Sequence, residues 1–356
     1  MLRVCHVSPT YFARESVLGG GERFAEELAR AMAARHREIA GVKLVSFGSR
    51  ARRERPAPRY ERVILRNWTR DRMTPFSPAL FRELAGADVV HCHQYFVLPT
   101  FLAALAGRLA RRRVFVTDLG GGGWTPGYQI DASRWITAHL PVSRYAARAL
   151  PGRNQRCHVI YGGVDPARYP RRAELAHDGT VVFLGRLLPH KGIHFLIEGL
   201  PPGVTLHAVG REGDPVYVER LAALAAGKEV RFHRDLDDAA VGELLGRAMA
   251  LVHPTPVDAG GSAGAHELFG LALVEAMARG CPVIASDAAS LPEIVISEES
   301  GLLVPPNRPQ AIGEAIDRLR GDPALWRRLA AGARRRVESE LTWERVVDRC
   351  LEAYAA

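Results

Sequence analysis

Lysine is nearly missing from these 356 residues: Lys43, Lys191 and Lys228 stand alone, and every other member of the 48 basic residues is arginine. So strong a skew reflects a GC-rich coding background more than chemistry. The net charge of +9 is therefore weak support for a nucleic-acid partner, and none is expected. Cysteine is sparse as well. Cys5, Cys92, Cys157, Cys281 and Cys350 are odd in number and widely spaced, which excludes a disulfide framework and zinc-ligand spacing. No apolar run reaches the ~18 residues of a membrane span. The opening Met-Leu-Arg-Val-Cys-His-Val-Ser is too short for a signal-peptide core before Pro9 and reads as a first strand. What remains, 47% apolar and 24% charged, is ordinary for a globular chain of about two domains. A reduced, cytoplasmic enzyme or binding protein is expected.

Short apolar runs alternate with helical patterns. Strands are expected at Leu2–Val7, Val42–Phe47, Val63–Leu65, Asp88–Cys92, Arg113–Thr117, Ala138–Val142 and Val159–Tyr161. Gly20–Ala34 reads as a helix, with Phe24, Leu28, Ala31 and Met32 near one face. After Gly162-Gly163-Val164-Asp165-Pro166 the alternation restarts. Strands are expected at Val181–Gly185, Val204–Val209, Glu229–Phe232, Leu251–His253, Pro282–Ser286 and Leu302–Val304. The last ~35 residues read as helical. This pattern predicts two doubly wound α/β halves, each a parallel sheet covered on both faces. The basic clusters Arg50–Arg59 and Arg111–Arg113 read as solvated surface.

Ligands of open α/β sheets bind outside the carboxyl ends of strands, so the loops after the strands carry the chemistry. Gly19-Gly20-Gly21 opens the first helix, where bare backbone and free N–H groups suit an anion. The triple glycine comes about a dozen residues after the first strand, too late for a dinucleotide fingerprint. Gly185-Arg186-Leu187-Leu188-Pro189-His190-Lys191-Gly192 places two cations five residues apart after a strand, suited to clamping a diphosphate. Glu267 and Glu275 stand eight apart around Phe269-Gly270-Leu271, with Glu275 in an apolar helix where a lone carboxylate is costly. Two carboxylates can accept from two sets of hydroxyls or form an acid/base pair. A capping glutamate plus a salt-bridged one is the purely structural alternative.

Residues 185–192 and 267–282 together resemble the retaining GT-B glycosyltransferases of family 4, the glycosyl transferases group 1. The E-x7-E element is Glu267 and Glu275. Further matches are Val142-Ser143-Arg144-Tyr145, Val159–Asp165 and the terminal Thr342-Trp343-Glu344-Arg345-Val346. The resemblance covers essentially the whole chain. It implies two Rossmann-like domains facing across a cleft. Residues 1–165 would be the acceptor domain and 166–335 the nucleotide-sugar domain, and a C-terminal helix, 336–356, would cross back onto the first.

It also implies roles. Arg186 and Lys191 would hold the donor diphosphate and stabilise its charge as it leaves. Glu275 would accept from the ribose, and Glu267 from hydroxyls of the transferred sugar. Gly270 and Leu271, beside Phe269, would meet phosphate and sugar, as would Gly20 and Gly21. Gly185, Gly210 and Arg211 would border the donor. Retention without an obvious nucleophile implies a front-face, internal-return substitution, in which the protein supplies orientation and fixed positive charge. The implied co-substrate is a nucleoside diphosphate sugar, UDP the commonest, with no cofactor and no metal. The acceptor would be a sugar, a lipid-linked compound or a small molecule. The positive charge leaves room for peripheral attachment to the inner face of a membrane.

The chain departs from the family pattern twice. Members often carry a histidine after the strand matching Arg113–Thr117; here Asp118 or Leu119 takes that place, followed by Gly120-Gly121-Gly122-Gly123. Asp118 is the candidate for the reaction, and Gly121 and Gly122 for the acceptor. The stretch Pro254–His266 is longer than usual and reads either as an acceptor-facing flap or as an inert insertion. His91 and His93 fall on one side of a strand with Cys92 opposite. His93 reads either as an acceptor contact or as a satisfied structural histidine; as a metal pair the two want a third ligand, and none stands out. Asp235-Leu236-Asp237 imitates a metal-binding D-x-D but reads as a turn and N-cap. Three other functions stay open: a dehydrogenase, a related epimerase or phosphorylase, and a catalytically silent nucleotide-sugar binder.

Overall fold

A computed structural model describes residues 1–11, 20–69, 71, 74–120, 127, 129–148, 150, 156–170, 176–257 and 267–356. Met1–Gly162 together with Trp343–Ala356 form one compact unit, and Gly163–Thr342 form a second. The first unit runs β1 (Leu2–Tyr11), α1 (Gly20–Ala33), β2 (Ile39–Gly48), β3 (Arg52–Ala57), β4 (Tyr60–Arg66), α2 (Ala79–Leu84), β5 (Val89–His93), α3 (Leu98–Leu109), β6 (Arg113–Thr117), β7 (Ala138–His139) and α4 (Arg144–Arg148). The second runs β8 (Val181–Leu184), α5 (Ile193–Glu198), β9 (Leu206–Val209), α6 (Pro215–Leu224), β10 (Val230–His233), α7 (Asp238–Arg247) and β11 (Ala250–His253). It continues through α8 (Leu271–Ala278), β12 (Val283–Ser286), α9 (Leu291–Ile294), β13 (Leu302–Val304), α10 (Pro309–Gly321) and α11 (Pro323–Glu340). The last helix, α12 (Trp343–Ala355), returns to the first unit.

Both units are α/β with Rossmann-like sheets. The first sheet has the order β3-β4-β2-β1-β5-β6-β7, parallel except for the β3–β4 pair. The second has the order β10-β9-β8-β11-β12-β13 and is parallel throughout. Every residue of β5, β11 and β12 is buried, which is what a strand covered on both faces requires. In α1, Phe24, Leu28 and Met32 recur every fourth residue and are buried on one face, joined by Ala25 and Ala29; Ala31 lies at the margin.

α12 lies against α1: the Trp343 and Phe24 rings meet edge to face at 5.2 Å, and Arg35 pairs with Asp348 at 2.5 Å. In the second unit Trp326 of α11 is buried, and its indole N–H donates to the Met249 carbonyl at 2.8 Å. Asp237 caps α7, accepting from the Ala240 N–H at 2.8 Å, the turn-and-cap role expected of the D-x-D imitation.

Two expectations need correction. Arg50–Arg59 is exposed surface in large part, but it also contains β3, an antiparallel edge strand. Its arginines carry charge along the open edge, which discourages another strand from adding there. The strands expected at Ala138–Val142 and Val159–Tyr161 shrink to the two residues of β7. Pro141 has no N–H to continue a ladder.

Candidate functional site

In the second unit the loops leaving β8 and β9 touch backbone to backbone. A Cβ on Gly210 would lie 1.8 Å from the Gly185 carbonyl oxygen, so neither loop could approach as it does with a side chain there. The Leu187 N–H donates to the Arg211 carbonyl at 2.9 Å and ties them further. Arg186 and Arg211 project from these loops exposed. Among the described residues neither guanidinium has an ion pair.

The β8 loop next forms a short 3-10 turn, Pro189–Lys191, closed by Gly192 in the left-handed region at φ 71°. A Cβ on Gly192 would meet the Pro254 carbonyl oxygen at 1.8 Å. The glycine thus lets the turn sit directly on the end of β11. That contact accompanies the placement of Lys191 beside Glu267. Its Nζ donates to Glu267 Oε2 at 2.6 Å, and His253 Nε2 donates to the same oxygen at 2.9 Å. The other oxygen, Oε1, accepts from the Gly270 N–H at 3.2 Å. Burial works against the charge of Glu267, but Lys191 and His253 outweigh it and hold the carboxyl far below the ordinary glutamate range.

Gly270 is the N-cap of α8, left-handed at φ 87°. The first N–H groups of α8, from Leu271 onward, have no partners within the helix and form a local positive end. Phe269, just before this end, is buried, and Glu275 lies one turn further along α8, partly buried. Arg186, Lys191, Glu267, Phe269, Gly270, Leu271, Glu275, Gly185, Gly210 and Arg211 all lie in the second unit. Of these, Lys191, Glu267 and Gly270 are joined by direct hydrogen bonds. His253 was missed in the sequence. Its signal was an imidazole ending the apolar run Leu251-Val252 at the carboxyl end of a strand.

In the first unit Gly20 and Gly21 open α1. A Cβ on Gly21 would lie 3.7 Å from Leu119, so Leu119 is the residue after β6 that faces this helix start. Asp118 gives its carboxylate to backbone of its own loop and of the loop after β5. Its Oδ1 accepts from the N–H groups of Gly120 at 3.3 Å and Tyr95 at 3.5 Å. Burial raises the Asp118 carboxyl above its ordinary range, and those N–H groups offset part of the shift. Gly121 and Gly122 lie outside the described residues, as does the 258–266 part of the long loop.

His93, the candidate acceptor contact, lies inside the first unit. It is 1% exposed, and its ring stacks on His91 at 4.8 Å and meets Phe24 at 6.2 Å. A third ring completes the group, and it is His6, which the sequence reading passed over. β1 pairs with β5 so that His6 stands opposite His91. His6 Nδ1 bonds His93 Nε2 at 3.0 Å; His91 bonds the Tyr354 hydroxyl of α12 at 2.7 Å and the Thr117 hydroxyl at 2.8 Å.

The three rings can offer nitrogens spread over as much as 4.8 Å. A tetrahedral zinc ion with bonds of ~2.0–2.1 Å asks for ligands about 3.4 Å apart. Both nitrogens of His91 are also already bonded. The arrangement is a hydrogen-bonded histidine cluster seated between sheet and helices.

Two family models match the chain. The model described as "Glycosyl transferases group 1" matches residues 170–336, and "Glycosyltransferase Family 4" matches residues 18–168. The chain is 31% identical over 207 residues to the glycogen synthase of Mycobacterium tuberculosis, covering 56% of this chain and 48% of that protein. It is 32% identical over 227 residues to the D-inositol 3-phosphate glycosyltransferase of Jonesia denitrificans, covering 56% and 51%. The chain thus spans about half the length of these curated relatives. Its fold resembles that of Anabaena HepE solved with UDP and glucose, with a TM-score of 0.76 at 19% identity over 100% of both chains. It also resembles the sucrose-phosphate synthase of Thermosynechococcus elongatus, with a TM-score of 0.73 at 22% identity over 100% of this chain and 98% of that one. Identities this low speak for the fold alone.

Proposed function

Because the chain belongs to the family 4, or group 1, glycosyltransferases, we propose that it transfers a hexose-type sugar with retention. The donor is a nucleoside diphosphate sugar, UDP the favoured base, and the acceptor is a hydroxyl of a sugar, a lipid-linked compound or a small molecule. No metal takes part. The observation that carries this reading is the group at the carboxyl ends of β8 and β11. A lysine, a largely enclosed carboxylate and the N-terminal end of a helix converge there within hydrogen-bond distance.

In this reading Arg186, exposed, and Lys191 take the diphosphate, one as a planar fork and the other as a point charge. N–H groups at the start of α8 add fixed positive charge where the leaving group gathers negative charge. Glu267 accepts from hydroxyls of the sugar, and Glu275 from the ribose. Gly185, Gly210 and Arg211 border the nucleotide. A phosphate oxygen of the departing diphosphate takes the acceptor proton as the sugar becomes oxocarbenium-like, so no side chain need act as nucleophile. The solved HepE complexes with UDP and UDP-glucose support UDP as the base to try first.

The test is a panel of UDP, GDP and ADP sugars scored by thermal stabilisation. A ligand that binds only the folded chain adds about 2.7 kcal/mol at a hundredfold excess over its Kd. The UDP sugars are expected to raise the melting temperature. If no nucleotide sugar does, the donor-site reading is wrong.

A further inference from the structure

We infer that His253 is the positioning residue of this site: it holds Glu267 in place and ionised when Lys191 turns from Glu267 to a diphosphate. The inference rests on the donor-site reading above.

In this structure one carboxylate oxygen, Glu267 Oε2, accepts from two side chains: Lys191 at 2.6 Å and His253 at 2.9 Å. The Lys191 ammonium has three N–H donors on a flexible stem, so a diphosphate competes with Glu267 for it and can draw it off the 2.6 Å contact. When it leaves, Glu267, only 15% exposed, retains the Gly270 N–H on Oε1 and whatever remains on Oε2. A carboxylate so enclosed with one weak donor is costly to keep charged. It would take up a proton or swing away, and in either form it would accept sugar hydroxyls poorly.

His253 is built to stay. It ends β11, pairs in register with Ala285 of β12 and is only 3% exposed. Lys191, by contrast, sits on a 3-10 turn and carries a flexible four-carbon stem. A carboxylate can only accept, so the proton between the two groups belongs to His253 Nε2. Nδ1 is buried and has no partner among the described residues. The neighbouring residue is part of the same frame, because the Pro254 carbonyl is the surface on which Gly192 rests. Two consecutive residues at the end of β11 thus fix both Lys191's turn and Glu267's carboxylate.

The test compares His253→Leu and His253→Gln in the full chain, with UDP-glucose and UDP as calorimetric ligands and GDP and ADP counterparts alongside. Leu removes the donor, whereas the Gln amide can replace Nε2–H. His253→Leu is expected to weaken UDP-glucose by about ten-fold, the scale of one hydrogen bond to a charged group, and UDP much less. His253→Gln is expected to recover most of the loss. A merely structural histidine would affect both ligands alike, and that result, or no effect on either, overturns the inference alone. Wild-type protein that binds none of these nucleotides overturns the donor-site reading and the inference with it. Should His253→Leu fail to fold, nitrogen-15 spectra of the wild-type imidazole decide. The proton is expected on Nε2 with and without donor, and an Nδ1–H tautomer would refute the role.

Discussion

Lys191 Nζ lies 2.6 Å from Glu267 Oε2, so the lysine of the β8 loop and the first glutamate of the E-x7-E pair are each other's partner across 76 residues of sequence. Both are largely enclosed, at 20% and 15% exposure. Lys191→Met is therefore expected to destabilise the second unit by about 2 kcal/mol, since it strips charge from a buried pair yet leaves His253 and Gly270 on the carboxylate. Adding Glu267→Gln is expected to recover part of the loss. Urea unfolding of both variants and the double variant gives the coupling; a Lys191→Met midpoint equal to wild type would show the pair to be of surface kind.

Arg186 makes the opposite case. It is exposed and holds no ion pair among the described residues. Arg186→Ala should leave stability unchanged within about 0.5 kcal/mol. If the guanidinium serves the diphosphate, affinity for UDP should nonetheless fall by about ten-fold, the value of a charge-assisted hydrogen bond. Calorimetry with UDP decides, and wild-type affinity would remove Arg186 from the site.

Gly192 is a conformational requirement. Its φ of 71° and the 1.8 Å that would separate a Cβ from the Pro254 oxygen act together. Gly192→Ala should cost well over the about 1–2 kcal/mol of a left-handed L-residue, because the turn must also lift from β11. The loss should appear as a lower melting temperature together with weaker UDP-glucose binding. An alanine variant of wild-type stability would mean that the turn does not rest on β11.

Much of this was legible in the sequence because local pattern carries it. Val283–Ser286 and Leu302–Val304 are short apolar runs between helices, and they fold as parallel strands. Asp237 caps the helix it precedes. The unread parts depend on register between distant segments. Nothing near His6 announces that it stands opposite His91, 85 residues on; the β1–β5 pairing alone decides that. His253 reaches Glu267 only because a strand end and a helix cap converge. Strand β3 was hidden by its own composition, since arginines and proline at Arg52–Ala57 imitate a loop and are tolerated because the strand lies at an edge.

The histidine cluster gives the first unit a predictable acid limit. Burial pushes His6 down from 6.5 to about 3 and holds His91 and His93 well below their ordinary value, with His91 and His93 lowered further by their neighbouring rings. His139, also buried, falls to about 4. Unfolded, each would titrate near 6.5, so below that pH the unfolded chain binds more protons than the folded one. Their contribution is intact above about pH 6.5 and drains away as pH falls toward the folded values. Each such histidine removes about 1.4 kcal/mol per pH unit in that window. The depressed carboxyl of Glu267 acts lower, its contribution being lost only as pH falls below the ordinary glutamate range. Urea midpoints measured from pH 7.5 to 5 should therefore fall steeply below pH 6.5, and His6→Leu should give a shallower fall. A flat profile between pH 6.5 and 5 would mean that these rings are not held neutral in the folded protein.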